Sequence, residues 1–338
     1  MMKKYYIPIL LFVFLSLLAT TISYAKKTVI VYTSHDQIYS EPVLKSFEEK
    51  TGISVKAVYD VEATKTTGIV NRLIAEKNYP RCDVFWNNEH SRTIVLKRKG
   101  LLAPFRSASA KDIPSRFKDP GGFWTDFAAR ARVIICNAEL VKTDNLPDSI
   151  FDFTEKNWKG NFTIANPLFG TTGTHAAALF SLLGDEKAKK YFSDLKANSV
   201  IISEGNSVVK DQVANGEIRA GLTDTDDVNM AVLAGKPVKM IYPDQDGIGT
   251  LLIPNTVCLI KNGPNPENGR KLVDYLLSPE VESRLAFSKS VQVPVRKNVK
   301  QPETIRSFDS IRSMDVGYEK IADKMEEAAL YLQKVFLR

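Results

Sequence analysis

The residues of this chain best equipped to do chemistry fall in short polar segments that follow apolar runs. Thr223-Asp224-Thr225-Asp226-Asp227 crowds the three carboxylates of Asp224, Asp226 and Asp227 together. Carboxylates this close repel one another unless a metal ion, an ammonium group or several hydroxyl donors sit among them. One of the three also suits the cap of a helix beginning near Val228. Thr171, Thr172, Gly173 and Thr174 place three hydroxyls and a glycine in a loop over residues 170–175, ahead of a helix expected from Ala176 to Leu183. A helix start exposes unpaired N–H groups and a positive partial charge. The segment therefore reads as an anion cradle, with plain capping by Thr172 or Thr174 as the alternative. Ser34, His35 and Asp36 follow the first strand-like run, and Asn88, Glu89 and His90 follow the third. Both groups stand at strand carboxyl ends, where open α/β sheets present their ligands. Residues 64–68 open a further helix and offer more donors, or simply cap it.

Several enzyme classes find no support in these residues. The chain has no G-x-S-x-G elbow, phosphate-binding P-loop, H-E-x-x-H pair or dinucleotide fingerprint. Ser34-His35-Asp36 contains the residue types of a catalytic triad, but adjacent residues cannot adopt that geometry. An acidic cleft holding a water-activating metal leaves a periplasmic metal-dependent phosphatase as the enzymatic alternative. Cys82, Cys136 and Cys258 lack C-x-x-C spacing, so they read as buried apolar residues rather than zinc or redox ligands. The formal net charge of +7 includes Lys3 and Lys4 and is spread along the chain. Basic residues do not cluster with aromatics, which argues against a nucleic-acid partner.

The elements that must position these groups alternate regularly. Residues 28–32, 53–59 and 82–86 read as strands, and residues 42–50 and 67–77 as the helices between them. The alternation restarts with strands at 162–164, 199–202 and 218–222 and helices at 176–183, 191–197 and 210–215. Two α/β units follow, each with a mostly parallel sheet flanked by helices. The C-terminal part is helical over 270–277, 280–286 and 317–337. At the other end, Lys3-Lys4, the apolar run from Tyr5 to Leu18 and Ser23-Tyr24-Ala25 form the pattern of a secretory signal peptide over residues 1–25. A free, soluble periplasmic protein is expected after cleavage.

From Thr28 to about Arg296 the chain resembles the bacterial ABC-transporter solute-binding proteins of the ferric-iron-binding group. The segments that carry this are Phe47-Glu48-Glu49-Lys50-Thr51-Gly52-Ile53, Asp83-Val84-Phe85-Trp86, Arg98-Lys99-Gly100-Leu101-Leu102, Asn157-Trp158-Lys159-Gly160, Asn206-Ser207-Val208, Ala214-Asn215-Gly216-Glu217-Ile218 and Ser278-Pro279-Glu280. The resemblance implies a two-lobe periplasmic-binding-protein fold (type II) with the ligand between the lobes. Residues 26–135 and 256–305 would form one lobe, and 136–255 and 306–338 the other. Residues 131–136 and 251–260 would be hinge strands, paired so that Ile134 to Asn137 lies near Thr256 to Leu259. The iron-ligand positions of the group fall on Asp36, with His35 one residue off, on Asn88, with Glu89 one residue off, and on Asp226 and Asp227, two aspartates where the group has two tyrosines; Asp36, Glu89, Asp226 and Asp227 are the set expected for iron. Its anion-holding positions map onto Thr171 to Thr174 and Asn206. Ferric iron with a bound anion is the first ligand this implies; a phosphorylated, phosphonate or zwitterionic solute is the alternative. No cofactor is required, and the partner is an inner-membrane ABC permease served by a monomer. A sensor subunit of the same fold is a further alternative.

Overall fold

The computed structural model describes residues 27–60 and 66–336. Residues 1–25, expected as a signal peptide, and Thr64 and Lys65 lie outside the described residues. Ten strands and ten α-helices are present among those described. The first unit is β1 (Thr28–Thr33), α1 (Gln37–Thr51), β2 (Ser54–Tyr59), α2 (Thr67–Ala75), β3 (Val84–Asn87) and α3 (His90–Arg98), followed by the short β4 (Leu102–Ala103). β1 pairs in parallel with both β2 and β3. The second unit contains β6 (Phe162–Ala165), α4 (Gly170–Leu183), α5 (Asp185–Ala197), β7 (Ile201–Ser203), α6 (Asn206–Ala214), β8 (Ala220–Asp224), α7 (Thr225–Leu233) and β9 (Val238–Ile241). There β6 pairs in parallel with β7 and β8. Each sheet is covered on both faces because its strand residues alternate between two apolar clusters. Val31 and Val84 join one cluster beside the first sheet, Tyr32 and Phe85 the other. In the second sheet Ile134 and Cys136 face one cluster, Val133 and Ile135 the opposite one. Burial on both faces is what β-branched parallel strands require.

Two long strands join the units. β5 (Thr125–Asn137) is buried along all of its 13 residues. Its first part pairs antiparallel with β10 (Leu252–Ile260), and its second part, from Arg132, pairs with β8 and β9. The two stretches expected as hinge strands are therefore neighbours, but in a different register. Thr256 faces Asp126 and Leu252 faces Ala131, so residues 134–137 lie beside β8 and β9 rather than near 256–259. β10 continues instead along β3 and β4. The shift has a local mark: Asn255 faces Phe127 and Pro254 faces Ala129, leaving Ala128 as an extra residue at φ 41°. Such a bulge bends the strand and increases its twist. Cys136 and Cys258 sit in different sheets, and all three cysteines are buried free thiols.

Helices α8 (Pro266–Leu276) and α9 (Pro279–Phe287) cover the first sheet, and α10 (Tyr318–Phe336) packs on α4. α10 also reaches the first unit through Arg98, whose guanidinium meets Glu319 at 2.8 Å and Asp323 at 2.7 Å. No helix among the described residues is long and apolar enough to cross a membrane.

Candidate functional site

One cavity of about 240 Å³ is lined from both units. Asp36 and Asn88 follow β1 and β3, and Tyr39 stands in the first turn of α1; Asp224 ends β8, and Thr171, Thr172, Asn206, Asp226 and Asp227 stand in the first turns of α4, α6 and α7. Helices α1, α4, α6 and α7 all begin at residues 37, 170, 206 and 225, beside this cavity. Parallel strands followed by helices put their connections on one edge, and the concave site follows from that topology.

The second-unit helix starts differ from the expectation in a consequential way. α4 begins at Gly170 rather than Ala176, so residues 170–175 form its first turns and not a loop. Gly173 and Thr174 are consequently buried in the helix, and the Thr174 hydroxyl donates back to the Gly170 carbonyl. Of that segment Gly170, Thr171 and Thr172 line the cavity, and Gly173 and Thr174 do not. α6 begins at Asn206 rather than Lys210, and α7 at Thr225 rather than near Val228. The residues preceding α4 and α6, Phe169 and Gly205, make no side-chain capping bond. Two helix starts thus present their first-turn amides at one cavity without a protein cap, which is the arrangement that binds anions.

α6 comes close to the sheet because β8 carries Gly221. A Cβ there would lie 2.5 Å from Val209 Cγ1 and 3.0 Å from Thr163 Cγ2.

Arg130 and Arg132 on β5 organise the site, and sequence reasoning passed over both. Arg132 is fully buried. Its Nη1 donates to Asp224 Oδ1 at 2.7 Å and to Thr171 Oγ1 and Asn206 Oδ1, both at 3.1 Å. Its Nη2 donates to Thr172 Oγ1 at 3.1 Å. Arg130 lines the cavity. It donates to Asp224 Oδ2 at 2.8 Å and to the Asn88 carbonyl at 2.7 Å, and lies 3.6 Å from Asp226. Burial alone would raise the Asp224 pKa, but the two guanidiniums outweigh it and hold the carboxyl below its ordinary value. Burial likewise pulls Arg130 down, and Asp224, Asp226, Asp36 and Asp227 push it up by more. The signal in the sequence was an arginine pair at i, i+2 in the otherwise apolar run from Phe127 to Cys136. Buried guanidiniums are retained only with partners, and that spacing puts both on one face of a strand.

These bonds fix what the hydroxyls can do. Thr171 Oγ1 donates to Asp224 Oδ2 at 2.9 Å while accepting from Arg132 and from Asn206 Nδ2. Its hydroxyl is held by the protein, so its contribution to a ligand is its backbone amide. Asp227 accepts from the Thr223 hydroxyl at 2.7 Å and from the Asp224 amide at 3.4 Å, closing the start of α7.

Four first-unit residues considered for the site, Ser34, His35, Glu89 and His90, do not line the cavity. The Ser34 hydroxyl bridges Asn87 and Asn88 from a buried position. His35 is buried against Trp86 and Tyr39, with Nε2 3.2 Å from Gln292 Nε2. Glu89 is buried and caps α3 by accepting from the Ser91 and Arg92 amides. His90 is buried between Tyr318 and Trp124 and bonds Asp126 at 2.8 Å. The polar side chains of these two loops are taken up by the protein itself: Glu89 caps a helix, Ser34 ties the β3 end, and the two histidines bond Gln292 and Asp126 from buried positions.

A family model described as bacterial extracellular solute-binding protein matches residues 43–308. The chain belongs to that family. Among curated relatives of this solute-binding protein are iron uptake protein A1 of Synechocystis sp., 23% identical over 88% of this chain and 82% of that protein. A putative 2-aminoethylphosphonate-binding periplasmic protein of Salmonella typhimurium is 29% identical over 83% of each chain. Among solved structures, iron-bound HitA from Pseudomonas aeruginosa superposes with a TM-score of 0.82 at 23% identity, covering 91% of this chain and 99% of that one. The architecture is that of a type II periplasmic binding protein. Members of this kind are solute receptors, and the interlobe cavity described above is the solute-binding protein's candidate site.

Proposed function

We propose that this protein is the solute-binding component of an ABC importer and captures a small zwitterion with a phosphonate or phosphate head and a cationic amine. The observation that carries this is the pair of helix starts, α4 and α6, that face one cavity without side-chain caps while Asp36 and Asp226 line the same cavity. An anionic head is met by backbone amides near Thr171, Thr172 and Ser207 and by Arg130. An ammonium is met by Asp36 and Asp226. The phosphonate-binding name of the Salmonella relative supports this class. The protein would work as a periplasmic monomer, handing its solute to an inner-membrane permease. Its lobes, residues 26–135 with 256–305 and 136–255 with 306–338, would close about β5 and β10 near the Ala131 and Arg132 step, where β5 changes partners.

Ferric iron with a bound anion is the second reading. It is favoured by the iron-uptake name of the Synechocystis relative and by Asp224, Asp226 and Asp227, whose carboxylate oxygens lie within 4.8 Å of one another. The arginines already neutralising Asp224 favour the zwitterion. Calorimetry on purified protein, with 2-aminoethylphosphonate, fructose 6-phosphate and ferric citrate as separate titrants, tests the choice. Saturable one-to-one binding of the aminophosphonate is expected. Saturation by ferric citrate alone would reject the proposal in favour of iron.

A further inference from the structure

We propose that Arg130 is a built-in counter-cation that makes this cleft refuse hard metal ions. The three carboxylates of Asp224, Asp226 and Asp227 have the donor type and mutual spacing of an oxygen-ligand metal cluster. Arg130 occupies their charge instead: its Nη1 lies 2.8 Å from Asp224 Oδ2 and 3.6 Å from Asp226 Oδ2. Arg132 takes the other oxygen of Asp224 at 2.7 Å. Arg130 is anchored from the far side by the Asn88 carbonyl, so it does not swing away as an exposed arginine would. A metal ion bonding these oxygens would have to displace a buried, hydrogen-bonded guanidinium or sit against it, and like charges at such distances repel strongly in a low-dielectric site. The specificity of the cleft is therefore set partly by a residue on the shared strand and not only by the loops. The inference shares the cavity with the proposed function and holds for any solute that is not itself a hard metal ion.

The test is to remove the charge and look for a metal. Terbium(III), a hard oxygen-seeking ion, is titrated into wild type, Arg130→Gln, Arg130→Lys and the double variant Arg130→Gln/Asp226→Asn, with calorimetry and thermal melting as readouts. Arg130→Gln should bind terbium at least about tenfold tighter than wild type, because the carboxylate cluster then keeps only Arg132, on one oxygen of Asp224, and loses the cation nearest Asp226. Arg130→Lys should keep the refusal, since the charge remains. The double variant should lose the gained affinity. Should Arg130→Gln fold only with terbium present, that rescue is the same result. Wild type binding terbium as tightly as Arg130→Gln, or a glutamine variant that gains neither affinity nor stability from the ion, overturns the proposal. Failure of the aminophosphonate titration would leave this outcome untouched, so the two ideas are separable.

Discussion

The two sheets present similar polar residues at their strand ends and use them in opposite ways. After β1 and β3, Ser34, His35 and Glu89 turn into the protein, where Ser34 bridges Asn87 and Asn88, His35 meets Gln292 and Glu89 caps α3. After β6 and β7, the helix starts carry no side-chain cap and line the cavity. The start of α7 stands between these cases, closed by Asp227 and neutralised by two arginines. The lesson is that an amide satisfied by a neighbouring carboxylate is structural, and an amide left open is available to a solute.

The largest effect should come from breaking the link that holds the open side together. Asp224→Ala leaves two buried guanidiniums short of a partner and should cost about 3–5 kcal/mol of stability. Urea unfolding measures it, and a near-wild-type midpoint would show that the arginine network does not organise the site.

Next, a cap can be written onto the open side. Phe169→Asp puts a carboxylate at the extended position before α4. It should satisfy the first-turn amides and weaken binding of an anionic solute by about tenfold or more, which is about 1.4 kcal/mol, while raising or preserving the melting temperature. Unchanged affinity by calorimetry would mean that the α4 amides are not what the solute meets.

The reverse change belongs on the first sheet. Glu89→Ala removes the cap of α3 and should cost about 1 kcal/mol in stability. Solute affinity should stay at the wild-type level; a clear loss would return Glu89 to the ligand set.

The smallest effect is pH-dependent and lies behind the open helix. Burial, then the nearby Arg132, lowers the His175 pKa from 6.5 to about 3. The unfolded chain therefore binds this proton and the folded chain does not as pH falls from about 6.5 toward 3. Stability from this group is complete above about 6.5 and declines on acidification. Between pH 7.5 and 6 the difference from His175→Asn should be under about 1 kcal/mol, read as a shallower slope of melting temperature against pH in the variant.

The alternation of β-branched runs with helical segments was enough to read both α/β units, because buried parallel strands demand such runs. The helix starts were misread where they matter. α4 and α6 begin six and four residues earlier than the pattern indicated, because Phe169 and Gly205 are not capping residues and leave no mark in the sequence. The property that opens these amides to a ligand also hides them from a sequence reading. The register of β5 against β10 failed for a related reason. Two apolar runs pair equally well in several alignments, and only the bulge at Ala128 selects one. Arg130 and Arg132 were legible as an anomaly, two charges in the otherwise apolar run from Phe127 to Cys136, but their partners lie about 40 to 90 residues away in the chain.

The sharing of β5 has a consequence for how the molecule comes apart. Each sheet has its own pair of apolar clusters, which would ordinarily let one half melt while the other persists. Here one unbroken, fully buried strand belongs to both sheets, paired on one side of Ala131 with β10 and on the other with β8 and β9. Melting either half frays a strand that the other half also pairs with. The amide protons of residues 130–135 should therefore be among the last to exchange with deuterated solvent, opening only in the global event, and chemical denaturation should proceed in one transition despite the two cores.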